Sequence, residues 1–359
     1  MRRTIRNLII LIALSVAIKI FSLFPHAVEK YYSTGIYVYI SKFQRWLLGW
    51  IPFSVGDLIY AAAAIYIIYN IIAFTRHLYK KQVGKHYLIY LFLKLVTTAV
   101  FIYVVFNILW GLNYNRVGIA SQLQMKVDKY ETQELRNLIQ VLVNRLNTTY
   151  PSSRFSLDDL KKKRTLFKGS ANAYRLAAVE YPQLTYKPFS VKPSLYSYLG
   201  NYLGFTGYYN PFSGEAQVNT TVPVYVQPFT TCHELGHQLG YAKENEANFA
   251  GVLSAKSSTD SAFRYALYFD LYSYAIRDLY RRDTSQVTFF RNQLLPGVRA
   301  DYSNLRTFYQ RYTNPFEPYI RKAYANYLKA NEQPMGMMSY NEVVAMVIAY
   351  IRKNGNDSI

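Results

Sequence analysis

A single cysteine, Cys232, excludes any intrachain disulfide, so the fold rests on its core and on what its polar side chains can hold. Carboxylates are also scarce: 21 Asp and Glu face 41 Lys and Arg, for a net charge of +20. They are scarcest at the start. Residues 1–116 hold thirteen cations against two acids, Glu29 and Asp57, a net of +11 that leaves +9 for the rest. Such a charge would suggest nucleic acid in a soluble protein. No recognition motif for it is visible, so no nucleic-acid partner is expected. No internal repeat or low-complexity linker interrupts the chain. Histidine is rare too: His26, His77, His86, His233 and His237 are all there is, and two of these fall in one short motif.

Apolar residues are abundant, at 51% of the chain, and they cluster. Residues 8–24, 57–75 and 88–112 form three apolar runs with few charges, each about as long as a bilayer-crossing helix. The first lacks a small-x-small cleavage site and reads as an uncleaved signal anchor. Arg2, Arg3 and Arg6 precede it, and Arg76, Lys80, Lys81 and Lys85 flank the turn between the second and third runs. The positive-inside rule then puts both in the cytoplasm and everything after about Asn113 outside. The loop between the first two runs carries Trp46, Trp50 and several tyrosines. Residues 31–48 read as an amphipathic helix, lying either on the outer leaflet or against the globular domain. The expected division is a transmembrane region, 1–115, and an extracytoplasmic domain, 116–359.

The motif is His233-Glu234-Leu235-Gly236-His237, which spells H-E-x-x-H. On a helix, positions i and i+4 share a face, so the two imidazoles can close on one metal ion. Glu234 sits about 100° round the helix and can act as general base on a metal-activated water. Thr230 and Thr231 are candidate caps for the helix start, and Gly240 fits its stop. Cys232 points away from the histidine face and reads as a small buried residue. Zn2+ is the expected cofactor for such a donor set, and it needs a third protein ligand. A second helix should start near residue 243. On it, Glu246 shares a face with Phe249, Ala250 and Leu253 and would be held in the interior. Glu246 is therefore the expected third ligand, with Glu244, on another face, as the solvated alternative.

The rest of the domain reads as mostly helical. Helices are expected over 128–150, 157–179, 261–281 and 340–353, with another over 298–330 broken at Pro315 and Pro318. Short strands are expected at 214–219 and 222–226, the first as a substrate-pairing edge beside the metal helix. Tyr265 and Tyr268 are candidates to steady an oxyanion, against the plainer reading that they pack a helix bundle.

The stretches Gly214–Asn219, Pro228–Gln238 and Glu244–Phe249, with Trp110-Gly111-Leu112-Asn113-Tyr114 and Tyr327-Leu328-Lys329-Ala330-Asn331, resemble a bacterial family of membrane proteins. Its members carry N-terminal spans and an HExxH domain. Glu246-Ala247-Asn248-Phe249-Ala250 is also similar to the helix supplying the third ligand in ImmA/IrrE-like metallopeptidases, at a shorter separation from the HExxH helix. These resemblances imply a three-span α-helical anchor plus a mainly α (α+β), zincin-like extracytoplasmic domain with a short sheet beside the metal helix. The expected protein is a multi-pass inner-membrane zinc metallopeptidase of gluzincin type. It would lie in the lipid bilayer and act on extracytoplasmic peptides or proteins. The alternative is a non-catalytic zinc-binding envelope protein acting as a structural or partner-binding module.

Overall fold

A computed structural model describes residues 1–331 and 339–359 and is mostly helical. The chain begins with α1 (Arg2–Ser22), α2 (Tyr37–Leu48), α3 (Val55–Tyr79) and α4 (Lys85–Leu109). The apolar runs lie in α1, α3 and α4, which outreach the ~20 residues needed to cross hydrocarbon. Almost none of their apolar windows is buried within the protein, as suits helices whose surroundings are lipid. The chain is a membrane protein with three candidate membrane-spanning helices. α1 and α4 pack along each other, while α3 meets α4 through a few side chains, Phe74 and His77 with Tyr87 and Tyr66 with Lys94. Ser54 caps α3, its hydroxyl accepting from the Asp57 amide at 3.0 Å.

The connection between α1 and α3 does two jobs. Wide π-helical turns over Val28–Ile36 lead into α2. One side of α2 presents Tyr37, Ser41 and Arg45, all buried, to the domain. Tyr39, Phe43 and Trp46 are exposed. The helix is thus packed on the domain, and its exposed aromatics suit a membrane interface.

The domain helices are α5 (Thr132–Leu160), α6 (Lys163–Glu180), α7 (Ser197–Leu203), α8 (Gln227–Gln238), α9 (Glu244–Lys256), α10 (Ser261–Arg282), α11 (Thr284–Asn292), α12 (Pro296–Arg311), α13 (Glu317–Ala330) and α14 (Ser339–Asn354). α5 starts at a capping box of Glu131 and Glu134 and runs on through Pro151. Its Leu135, Leu138, Ile139 and Leu142, spaced for one helix face, are buried against α10. The expected break between helices falls at 161–162 rather than near 150–157. The expected break near Pro315 lies between α12 and α13, and Pro318 sits in the first turn of α13.

Three short strands, β1 (Val191–Pro193), β2 (Gly207–Asn210) and β3 (Glu215–Val218), form one sheet in the order β1-β3-β2. β3 pairs in parallel with β1 and antiparallel with β2, Gly207 lying opposite Val218. All four β3 residues are buried. Two expectations fail here. Residues 222–226 form turns into α8, because Pro223 has no ladder donor and its carbonyl accepts from the Val226 amide. β3 is also central, so it cannot offer an edge to a substrate; the edge beside the metal helix is β2.

The domain is bolted to the membrane helices by the rare acids of the N-terminal region. Asp57 accepts from the Leu195 amide at 2.7 Å and from the Tyr208 hydroxyl. Glu29 forms a two-pronged pair with Arg116 at 2.7 and 2.9 Å. From the domain side, Glu215 accepts from the first amides of α3, Val55 at 3.3 Å and Gly56 at 2.6 Å, where a helix start favours a carboxylate.

Arg116→Met leaves Glu29 without its cation, and breaking a buried pair this way costs about 3–5 kcal/mol. Lys126→Ala removes only an exposed pair with Asp128, worth at most about 1 kcal/mol. In thermal unfolding of detergent-purified protein, Arg116→Met should lower the midpoint by far more than Lys126→Ala. Equal shifts would remove the clamp from the account.

Candidate metal centre

The metal-motif helix is α8. It starts one turn earlier than the threonines suggest: Pro228 lies in the first turn, and the Thr231 hydroxyl donates back to the Gln227 carbonyl at 2.7 Å. The expected caps are therefore inside the helix. Gly240 follows its end with φ +86°, the left-handed conformation glycine tolerates. Cys232 is fully buried, as expected, and burial pushes its thiol up to about 12.

Glycines bring α8 and α9 together. A Cβ on Gly236, inside the motif, would lie 2.9 Å from the Ala247 carbonyl oxygen. One on Gly251 would lie 3.2 Å from the His233 amide nitrogen. The close approach puts Glu244, in the first turn of α9, beside the imidazoles. His233 Nε2 is 3.3 Å from one Glu244 oxygen and His237 Nε2 is 3.7 Å from the other.

The other ring nitrogens are held from behind. His233 Nδ1 lies 3.0 Å from Asn248 Oδ1, and His237 Nδ1 lies 2.8 Å from the Tyr241 carbonyl. Both partners accept, so each Nδ1 carries a hydrogen and each Nε2 is the nitrogen turned toward Glu244, with a lone pair to offer a metal once the ring is neutral. Ligand atoms of His233, Glu234 and His237 lie within 4.8 Å of one another. Glu234 is buried, and its Oε2 has no hydrogen-bond partner in the protein. Two oriented imidazoles, a bridging carboxylate and a buried carboxylate oxygen with no partner make a donor set that fits a divalent cation.

The electrostatics match. Burial pulls His233 down, but the Glu244 hydrogen bond and the charges of Glu234 and Glu244 prevail and raise it to about 9. Burial lowers His237 to about 4. Burial raises Glu234 to about 8, helped by Glu244 and opposed by His233. Glu244 resists burial through the two histidines and falls to about 2.

Glu246 lies elsewhere. It is buried, as its helical face requires, but its carboxylate lies against Gly118; a Cβ there would sit 1.9 Å from Glu246 Oε1. Glu246 also feels the charge of Arg116. The geometry therefore places Glu244, and not the expected Glu246, beside the two imidazoles. Burial was a misleading guide, because the pocket holding Glu246 comes from residues 116–118, far away in sequence. Tyr265 and Tyr268 are core residues as well: the Tyr265 hydroxyl donates to Asp301 at 2.6 Å, and neither lines the cavity at the metal centre.

That cavity, of about 1390 Å³, opens from His233, Glu234 and His237. Its walls include β2, which passes against the catalytic-motif carboxylate: a Cβ on Gly207 would lie 2.6 Å from Glu234 Oε1. Asp270, Tyr274 and Tyr324 also line it. Tyr274 donates to Asp270 at 2.9 Å and Tyr324 to Glu244 at 2.9 Å. These residues escaped the sequence reading. Asn248 had a visible signal, since it is i+4 from Glu244; Asp270, a lone carboxylate within an aromatic stretch of α10, had a weaker one.

The fold and site define a membrane protein with apolar N-terminal helices and a His–Glu cluster at the mouth of a deep cavity. The family described as "Protein of unknown function (DUF3810)" matches residues 32–348, and the chain belongs to that family. No curated protein and no solved structure matches the chain.

Two measurements check the centre. Zinc content by mass spectrometry should fall to background in Glu244→Ala and stay near one per chain in Glu246→Ala; the reverse would restore Glu246. Metal uptake requires His233 to lose its proton, which it holds up to about pH 9. Zinc affinity should therefore rise about tenfold per pH unit between pH 6 and 8, with proton release visible by calorimetry in buffers of different ionisation enthalpy. A flat profile would contradict the charge pairing.

Proposed function

We propose that the chain is a membrane-anchored zinc metallopeptidase, with His233, His237 and Glu244 holding the metal and Glu234 as general base. The observation that carries the reading is the unpartnered oxygen of buried Glu234 beside convergent histidine nitrogens, at the head of a large cavity. Zinc, when bound, lowers the pKa of a water and polarises a carbonyl. Glu234 takes the proton from the attacking water and passes it to the leaving amine. β2 pairs with β3 on one side only, so its other edge can take an extended peptide by backbone hydrogen bonds. Tyr274 and Tyr324 replace Tyr265 and Tyr268 as the tyrosines suited to an oxyanion. The basic flanks of α1 and of the α3–α4 turn support, by the positive-inside rule, a domain outside the cytoplasm that acts on peptides or proteins there.

A purely structural zinc site closes on a fourth protein ligand. Here three donors converge, and the fourth neighbour, Glu234, is the residue suited to act on water. That favours catalysis over the structural reading.

The test uses purified, zinc-loaded protein and a peptide library read by mass spectrometry. Glu234→Gln should keep its zinc and lose on the order of 10²–10⁴-fold in turnover, the range for general-base removal. Gly207→Ala should also keep zinc but lower turnover, because the new methyl displaces the Glu234 carboxylate. Unchanged cleavage in Glu234→Gln would sink the peptidase reading.

A further inference from the structure

The cavity at the metal centre does not end in the domain. It continues between the membrane helices, where Ile18 of α1, Tyr60 of α3 and Ala99, Ile102 and Phe106 of α4 line it. Trp110, at the end of α4, is also in its wall. From Trp110 down to Ala99 the helix descends about 16 Å at 1.5 Å per residue. That is about half of a ~30 Å hydrocarbon core.

The gap has a cause in the packing of the spans. α1 and α4 lie together. α3 touches α4 toward its far end, where Phe74 and His77 meet Tyr87 and Lys94 lies over Tyr66. Toward the domain, Tyr60 of α3 and Ala99 of α4 face the same open cavity. The cleft therefore opens laterally to lipid and upward to the metal centre.

The sheet edge points into this cleft. β2 begins at Gly207, against Glu234, and ends at Asn210, whose amide packs on Gly56 at the start of α3. A chain paired along β2 is led from the metal centre to the top of the cleft. The metal centre itself is fixed at this level, since the Trp110 indole donates to the His237 carbonyl at 3.0 Å.

We propose that the substrate is a polypeptide anchored in the same bilayer by its own transmembrane segment, which enters between α3 and the α1–α4 pair while its membrane-proximal stretch lies along β2. This rests on the peptidase reading for cleavage but not for binding. The backbone-pairing edge selects a peptide, and the limb reaching mid-bilayer, mostly apolar though Lys19, Ser22 and Asn107 also line it, selects an apolar anchor continuous with it.

The test uses the full chain in liposomes with three probes: a peptide with a leucine–alanine transmembrane segment of about 20 residues followed by a randomised stretch, the same stretch on a diacyl anchor, and the stretch alone. The two anchored forms are equally concentrated at the membrane, so anchoring alone cannot separate them. The transmembrane form should be cut at least about tenfold faster than the diacyl form, close to its anchor. Binding is read separately in Glu234→Gln protein carrying a photocrosslinker at Ile102, in the cleft, or at Phe101, on the lipid side. Crosslinks to the transmembrane peptide should form at Ile102 and be much weaker at Phe101. Equal cutting of the diacyl form, or equal crosslinking at both positions, overturns the inference. Cutting of all three probes at equal rates does so while leaving the peptidase intact. Crosslinking at Ile102 with no cutting of any probe upholds the docking and defeats the peptidase reading; neither signal defeats both.

Discussion

The end of the metal helix is held by the membrane part of the chain, and the rest of the structure depends on that grip. The last carbonyls of an α-helix have no partner within it. Here they are met by side chains from the first 116 residues. The Gln238 carbonyl accepts from Tyr37 at 2.9 Å, Ser41 at 2.8 Å and Arg45 at 3.2 Å. The His237 carbonyl accepts from Trp110, and the Gly240 carbonyl from Arg116 at 3.0 Å. Two of these donors are guanidinium groups, the sign of charge that a helix C-terminus favours. The H-E-x-x-H helix is therefore not joined to the membrane helices by a flexible link but capped by side chains of the N-terminal region.

From that cap the site assembles outward. The Gln238 side chain donates to the Ser190 and Gly214 carbonyls at 2.8 and 2.7 Å, tying the helix to the sheet region. Gly236 and Gly251 let α9 approach, which brings Glu244 to the imidazoles and Asn248 behind His233. Gly207 lets β2 pass against Glu234. Each is a place where a side chain would fill the space the chemistry needs. The scarcity of acids has the same logic: Glu29 and Asp57, the two in the first 116 residues, are both spent on joining the membrane helices to the domain.

Much of this was legible in the sequence. The membrane helices came from run length, the α5 core from helical spacing, the H-E-x-x-H helix from a five-residue pattern, and its end from Gly240. These are local signals, read within one or two turns of chain. What the sequence left undecided is of another kind. The apolar face carrying Glu246 is buried, as its spacing predicts, but toward Gly118 and Arg116. The strand within 214–219 is central rather than an edge because β1, more than twenty residues before it, takes the side that β2 leaves open. Tyr265 and Tyr268 are buried in the core, in keeping with the plainer reading, and Asp301, on a separate helix, receives the Tyr265 hydroxyl.

The sequence by itself determined three apolar spans, a histidine pair on one helical face with a glutamate between, and a carboxylate-bearing helix directly after. Those follow from covalent spacing and the helical repeat, which act over a few residues. Only the tertiary structure decided which carboxylate meets the imidazoles, which strand borders them, and that the cavity runs down between the spans. Those depend on how close two helices approach and on what caps a helix end. The approach is set by Gly236 against Ala247 and Gly251 against His233, on neighbouring helices, and the cap by contacts more than a hundred positions apart, such as Trp110 with His237 and Arg116 with Gly240.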